Sequence, residues 1–263
     1  MAGSLPIIDD PGVEQPLDDI PHPRPAGFGR CRRCPYAETG RIAVCYSCAS
    51  LSLKPPPDRR CPVCDQAVGV DEVCSNSLCN SPERRFFDWT IAVALKEGAL
   101  ANMIHHVKDG ETAWCTIFAR VILGYLYKNP AAVRRLGAII PNPAWLPPGA
   151  DPRADHAHYT IEQARDQDER QLPFVVDPPL IVKTRQTDKM RSTTSAAERR
   201  RLGQQVYEAL RVPDPSRVKG KEIMVYDDVF TSGTTLNAAA RRLKESGATK
   251  VYGLSLARQT WRS

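Results

Sequence analysis

IMVYDDVFTSGTT, residues Ile223 to Thr235, places four apolar residues before two adjacent aspartates and a run of small, mostly hydroxyl-bearing residues. Ile223 to Tyr226 is typical of a central strand in a parallel sheet, which is apolar because both its faces are buried. Ligands of such sheets bind at the carboxyl ends of the strands. We therefore expect Asp227 and Asp228 to lie at a strand end, where both carboxylates can reach one ligand.

The residues after the aspartates are predicted to open a helix; they are Thr231, Ser232, Gly233, Thr234 and Thr235. Backbone N–H groups and hydroxyls at a helix N-terminus bind phosphate, and glycine allows close approach of the backbone. Two carboxylates can accept hydrogen bonds from a sugar diol or from the water shell of a cation. Together these features predict a ribose 5-phosphate site. The alternative is a turn with helix caps, because Asp, Ser and Thr are the usual capping residues.

Strands and helices alternate along the rest of the 263-residue chain. The apolar patterns predict strands within 85–95, 138–140, 172–176, 180–184, 222–227 and 250–258. Helices are predicted within 96–110, 111–129, 160–170, 198–212 and 234–247. This alternation predicts an α/β domain with a mainly parallel sheet and helices on both faces.

Eight of the nine cysteines form four closely spaced pairs: Cys31 and Cys34, Cys45 and Cys48, Cys61 and Cys64, and Cys74 and Cys79. Such spacing is typical of structural zinc sites with four thiolates, so the pairs predict two Zn²⁺ ions; a redox-active pair is the alternative. Sequential quartets close shorter loops than a cross-braced arrangement and are favoured by the smaller closure entropy. Metal binding would then stabilise a region too small and polar to form a core. The ninth cysteine, Cys115, is predicted to be a buried core residue.

The charge and the apolar content of the sequence indicate which kinds of partner the protein can have. The formal net charge is +6, and the segment from Lys183 to Arg201 carries seven basic and two acidic residues. Such a cluster indicates an anionic partner, either a nucleic acid or a phosphorylated small molecule, unless it is only a solvated helix face. The sequence contains no apolar run long enough to cross a membrane and begins without a signal-peptide pattern. We therefore expect a cytoplasmic protein without membrane insertion.

These patterns divide the chain into three regions. Residues 1–29 are rich in proline and aspartate and are predicted to be disordered. Residues 30–82 form the cysteine-rich zinc-binding region, and residues 83–263 form the α/β domain.

The run from Ile223 to Thr235 resembles the phosphoribosyl pyrophosphate (PRPP) signature of type I phosphoribosyltransferases. The resemblance extends over roughly residues 30–260 to the ComF family, which joins an N-terminal cysteine region to such a domain. It is carried by the segments FFDWTIAVALKEGALANMIHHVKDG, AIIPNP, KTRQTDKMRSTTSAAERRR and KVYGLSLARQ. The chain departs from the family after its Pro-x-Pro strand, where PPGADPRADHAHYTIEQA replaces the usual Arg-Gly-Phe-Asn-Gln segment. Met190 stands where a glutamine is common.

The resemblance implies a type I phosphoribosyltransferase-like fold with a small zinc-ribbon-like N-terminal domain. It also implies transfer of ribosyl 5-phosphate from PRPP, bound with Mg²⁺, to an acceptor with release of pyrophosphate. Asp227 and Asp228 would be the catalytic residues and hold the ribose hydroxyls. The PRPP-binding segment would continue through Val229, Phe230, Thr231, Ser232, Gly233, Thr234 and Thr235. Candidates for the pyrophosphate side and for the loop that closes over it are Lys108, Arg185, Lys189 and Arg191.

Two other functions follow from the same resemblance. The chain could be a catalytically silent accessory protein of competence, which handles single-stranded DNA or contacts the DNA-uptake machinery. It would use its arginine-rich cysteine region and the basic cluster from Lys183 to Arg201. It could also be a regulator that senses PRPP.

Overall fold

The computed structural model describes residues 53–71, 73–188 and 195–260. Several predicted features lie outside these residues. They are the N-terminal tail 1–29, the first cysteine quartet (Cys31, Cys34, Cys45 and Cys48), and the loop candidates Lys189 and Arg191.

Six helices and six strands follow one another along the described chain. They are β1 (Trp89–Leu95), α1 (Gly98–Lys108), α2 (Trp114–Lys128), α3 (Pro130–Val133), β2 (Ala138–Pro141), α4 (His156–Gln167), β3 (Val182–Lys183), α5 (Ala196–Ala209), β4 (Leu210–Arg211), β5 (Glu222–Phe230), α6 (Thr234–Glu245) and β6 (Lys250–Arg258). Short 3₁₀ turns at Pro82–Arg84, Pro152–Ala154 and Pro215–Arg217 complete the secondary structure.

The main sheet has four strands in the order β1-β6-β5-β2, and every neighbouring pair is parallel. Helices connect its strands, as the chain must cross over to start a second parallel strand at the same end. The α/β class and the mainly parallel sheet are therefore confirmed. Strands β3 and β4 form a separate antiparallel pair of two residues each.

Helices cover both faces of the sheet because the side chains of each strand alternate between two cores. On β5, Met224 and Tyr226 pack in one core with α1, α2 and α4. Ile223 and Val225 pack in the other core with α5, α6 and the second cysteine quartet. Cys115 is fully buried in the first core, as predicted.

Two of the predicted strands differ from the structure. Residues 172–176 form no strand, and only Phe174 bridges to Ile139 of β2. The N–H of Ile139 donates to Pro173 and its carbonyl accepts from Val175, but Pro173 has no N–H with which to extend the ladder. In 180–184 only Val182 and Lys183 are extended, and they pair with β4 instead of joining the main sheet.

No helix in the described part of the chain combines the length and the apolar character needed to cross a bilayer.

Candidate functional site

Strand β5 continues past the two aspartates, so the prediction that the strand ends there was wrong. Its pairing with β6 runs on to Phe230, which lies opposite Arg258. On its other side, β5 loses its neighbour at Tyr226, because β2 ends at Pro141. Asp227 and Asp228 thus lie inside β5 but just beyond the carboxyl end of β2, where one side of the strand is open.

Asp227 is held by hydrogen bonds from both sides. Its Oδ2 accepts from the side-chain amide of Asn142 at 3.0 Å, and its Oδ1 accepts from the N–H of Asp228 at 3.0 Å. Burial, together with the negative charge of Asp228, raises the pKa of Asp227 to about 8. Asn142 was not predicted to be a site residue, although its position directly after an apolar strand signals this edge of the sheet.

The pKa of Asp228 is shifted in the opposite direction from that of Asp227. Burial acts to raise its pKa, but the Lys108 ammonium lies 2.7 Å from its Oδ2 and holds the pKa below the ordinary value. Lys108 is the last residue of α1, so the structure brings this pyrophosphate candidate to the aspartate pair. His156 begins α4 and interacts electrostatically with both Asp228 and Lys108; burial lowers its pKa.

The segment after β5 forms a small cradle at the N-terminus of α6. Gly233 caps the helix with φ of 80°, and a Cβ there would lie 2.6 Å from the Phe230 ring, so the turn requires glycine. In the described chain, no carbonyl or side chain accepts from the N–H groups of residues 231–236. The Ser232 and Thr234 hydroxyls are 2.8 Å apart and complete a cavity of about 40 Å³. Free N–H groups at a helix N-terminus suit an anion.

Arg185, the other basic candidate within the described residues, has no contact with this cradle. Arg185 pairs with Glu208 of α5 at 3.2 Å, and both side chains are about half exposed. Its assignment to the loop that closes over pyrophosphate stays a prediction.

The second cysteine quartet is assembled as the sequential arrangement requires. The sulfur atoms of Cys61, Cys64, Cys74 and Cys79 all lie within 4.8 Å of one another. Cys64 and Cys74 are 3.6 Å apart, close to the roughly 3.8 Å that a tetrahedral site with Zn–S bonds of about 2.3 Å imposes. The N–H of Asn76 points at the Cys74 sulfur, as in turns that present two thiolates to one ion.

The charges within the quartet also suit a cation. A hydrogen bond with Cys79 and the nearby Arg258 guanidinium lower the pKa of Cys64 to about 5. Burial and the negative charge of Cys64 raise the pKa of Cys74 to about 12, and the hydrogen bond with Cys64 raises that of Cys79 further. The negative charge of one thiolate therefore makes ionisation of the neighbouring thiols unfavourable, and a bound cation offsets this repulsion. The four cysteines could thus hold a metal ion such as Zn²⁺.

We expect Cys79→Ser to lower the zinc content of the purified full-length protein by about one ion per chain, because the substitution removes one of four thiolates. Zinc is measured by atomic emission after dialysis. Cys115→Ser is the matched control, since Cys115 is buried outside the quartet. Equal zinc contents of the two variants would contradict a metal site here.

A second prediction concerns Asp227, whose pKa rises from 3.8 to about 8 on folding. Between these pH values the folded state holds a proton that the unfolded state has released, so rising pH destabilises the fold. The stability advantage of Asp227→Asn over wild type should therefore grow from about pH 4 to about pH 8 and stay constant above it. Urea denaturation at pH 5 and pH 8 measures this. Asp166→Asn, on an exposed part of α4, is the control, and a pH-independent difference for Asp227→Asn would refute the prediction.

Comparison with known proteins adds no assignment to this geometry. No family model and no curated protein matches the sequence. The site consists of a carboxylate pair with Asn142 and Lys108, an anion cradle, and a four-cysteine centre behind it.

Proposed function

We propose that this chain binds PRPP and transfers its ribosyl 5-phosphate to an acceptor, with the fold and site of a type I phosphoribosyltransferase. One observation carries the proposal. The Asp227–Asp228 pair lies near the end of β5, and the anion cradle follows directly between β5 and α6. A sugar diol and a phosphate, joined by a few bonds, are the ligand groups that these two features suit. The resemblance of the sequence to the ComF family points to the same ligand.

The carboxylates are prepared to accept hydrogen bonds from a ribose. Each of their four oxygens already accepts one bond, from Asn142, Lys108 or the backbone of β5, and keeps a second lone pair. These contacts hold the oxygens in place without using up their capacity. The ribose 2- and 3-hydroxyls would fill it.

The cradle supplies donors for the 5-phosphate. N–H groups of residues 231–236 lack acceptors in the described chain, and the helix dipole of α6 adds positive potential. Ser232, Thr234 and Thr235 add hydroxyls on the cavity wall. A Walker-type site is not an alternative, because no lysine follows the glycine.

Lys108 would lie on the pyrophosphate side, where its ammonium offsets negative charge on the leaving group. Mg²⁺ fits this site only as an ion that retains water, since every carboxylate oxygen already has a protein partner. Bound to the pyrophosphate of PRPP, Mg²⁺ would neutralise part of its charge.

The reaction needs no nucleophilic side chain. The bond from ribose C1 to pyrophosphate oxygen breaks, the electron pair leaves with pyrophosphate, and the acceptor forms the new bond to C1. The Asp227–Asp228 pair would stabilise the oxocarbenium-like charge on the sugar. The acceptor would supply the attacking electron pair and lose its proton to solvent.

We expect wild-type protein to bind PRPP in the presence of Mg²⁺, and the double variant Asp227→Asn with Asp228→Asn to bind at least about tenfold more weakly, because two carboxyl groups that would hold the ribose hydroxyls are lost. Calorimetry measures the affinity. The double variant Asp166→Asn with Glu169→Gln removes two carboxyl groups from exposed positions and should bind like wild type. Absence of PRPP binding by wild type, or equal binding by both double variants, rejects the proposal. Binding without release of pyrophosphate in the presence of candidate bases would instead indicate a PRPP sensor.

A groove beside the cradle favours a second candidate function, nucleic-acid binding. It encloses about 490 Å³ between α5, α6 and the cysteine region, and its walls include Arg84, Arg199, Arg200, Arg241, Phe86 and Tyr207. Within the described chain Arg199 and Arg200 form no ion pair with an acidic side chain. The Arg241 guanidinium stacks 4.0 Å from the Tyr207 ring. Cationic and aromatic groups together are what a single strand requires.

We expect wild type to bind a labelled oligothymidylate with an affinity that falls as salt increases. The double variant Arg199→Ala with Arg200→Ala should reduce the slope of this dependence by roughly 0.7 for each phosphate that is no longer neutralised. Fluorescence anisotropy at several salt concentrations measures both effects. Lys128→Ala with Arg134→Ala removes the same charge elsewhere and should keep the wild-type slope. Identical slopes for both double variants would exclude this groove as the binding surface.

A further inference from the structure

Arg258 ends β6 with a guanidinium that is almost completely buried, at 1% exposure. Its Nη1 donates to the carbonyl of Phe230 at 3.0 Å and to the carbonyl of Thr231. Its Nη2 lies 3.8 Å from the sulfur of Cys64, and the group stacks 4.6 Å from the Phe230 ring. Arg258 therefore lies between the four-cysteine centre and the anion cradle and contacts both.

A buried guanidinium requires a negative partner, since an unpaired buried charge is costly. Among the residues that the structure describes, Arg258 forms an ion pair with no carboxylate. The anionic partner within reach is the cysteine centre. Four thiolates around one Zn²⁺ carry two net negative charges, so a filled centre increases the negative charge that faces Arg258.

The bonds from Arg258 also determine where the cradle N–H groups point. In a trans peptide the carbonyl of one residue and the N–H of the next point in opposite directions. Holding the carbonyls of Phe230 and Thr231 toward Arg258 therefore turns the N–H groups of Thr231 and Ser232 away from it. In the described chain, only the bond between Asp177 and Pro178 is cis, so this geometry applies to the cradle.

Asn76 holds the next carbonyl along the cradle, that of Ser232, in the same way. It is buried between Cys74 and Cys79, and its side-chain amide donates to the carbonyl of Ser232 at 3.2 Å. That contact turns the N–H of Gly233 away from Asn76. The position of Asn76 is set by the cysteine turn itself, because its own N–H points at the Cys74 sulfur at 3.4 Å.

We propose that Arg258 and Asn76 are positioning residues that couple the four-cysteine centre to the anion cradle. Metal binding at Cys61, Cys64, Cys74 and Cys79 orders both residues, and they in turn direct three consecutive N–H groups toward a phosphate. Loss of the metal releases the cradle while the sheet remains folded. The phosphate ligand in this inference rests on the proposed function, but the coupling between metal and cradle does not.

The test is the backbone mobility of the cradle in the full-length protein, read by ¹⁵N NMR relaxation of the amides of residues 231–236. Cys79→Ser, which disables the described centre, should lower the order parameters of these amides from about 0.85 to below about 0.6. Cys34→Ser, outside the described centre, is the matched control and should leave them unchanged. Asn76→Ala should keep its zinc and still lower the order parameters in the cradle, whereas Asn80→Ala should not. Asn80 lies in the same turn but donates to the Cys74 carbonyl instead of the cradle.

Binding of PRPP with Mg²⁺ is measured on the same variants. We expect about tenfold weaker binding for Asn76→Ala, as for loss of one oriented donor, and near wild-type binding for Asn80→Ala. If wild type does not bind PRPP but the cradle amides still become more mobile in Cys79→Ser and Asn76→Ala, the proposed function fails and the coupling stands. Unchanged cradle order parameters in both variants overturn the coupling. Lower order parameters throughout β5 and β6 also overturn it, because the metal would then only stabilise the whole fold.

Discussion

The parallel pairing of β5 with β6 is the constraint on which the rest of the site depends. It places Val225 opposite Gly253 and Phe230 opposite Arg258. At Gly253 a side chain would lie 2.6 Å from Leu236, so the glycine is what lets α6 approach the sheet. The N-terminus of α6 thereby lies at the carboxyl end of the two central strands. The carboxylate pair, the cradle and the guanidinium behind it all follow from this one register.

Other segments of the chain cover both edges of the sheet, and one of these segments contains the four-cysteine centre. On β1, the N–H of Thr90 donates to the carbonyl of Val63, and the N–H of Ala92 donates to the Asp65 carboxylate. The cysteine region thus pairs with an edge strand that would otherwise expose free backbone groups. On β2, the segment around Phe174 does the same with a single bridge. The four-cysteine centre is therefore fixed to the sheet next to β6, as the proposed coupling to the cradle requires.

The aspartate pair combines two carboxylates with opposite pKa shifts. The pKa of Asp227 is raised by burial and by its neighbour, whereas that of Asp228 is lowered by the Lys108 ammonium. Two buried carboxylates side by side are unfavourable when both are ionised, so Asp227 keeps a proton in the free site up to about pH 8. Hydroxyl donors or a hydrated cation beside the pair would favour ionisation of both carboxyl groups.

Local sequence patterns were sufficient to predict several parts of this protein. The apolar run before Asp227 predicted β5, the small residues from Thr231 to Thr235 predicted the start of α6, and the cysteine spacing predicted the quartet that the structure assembles. The extent of β5 could not be predicted in this way, because its end is set by the different lengths of its two neighbours. Arg258 could not be identified as part of the site, since it is brought there by the pairing of β6 with β5, and Asn142 was signalled only by its position directly after an apolar strand. Such contacts are decided by the fold, because strand register, not sequence distance, sets which side chains meet.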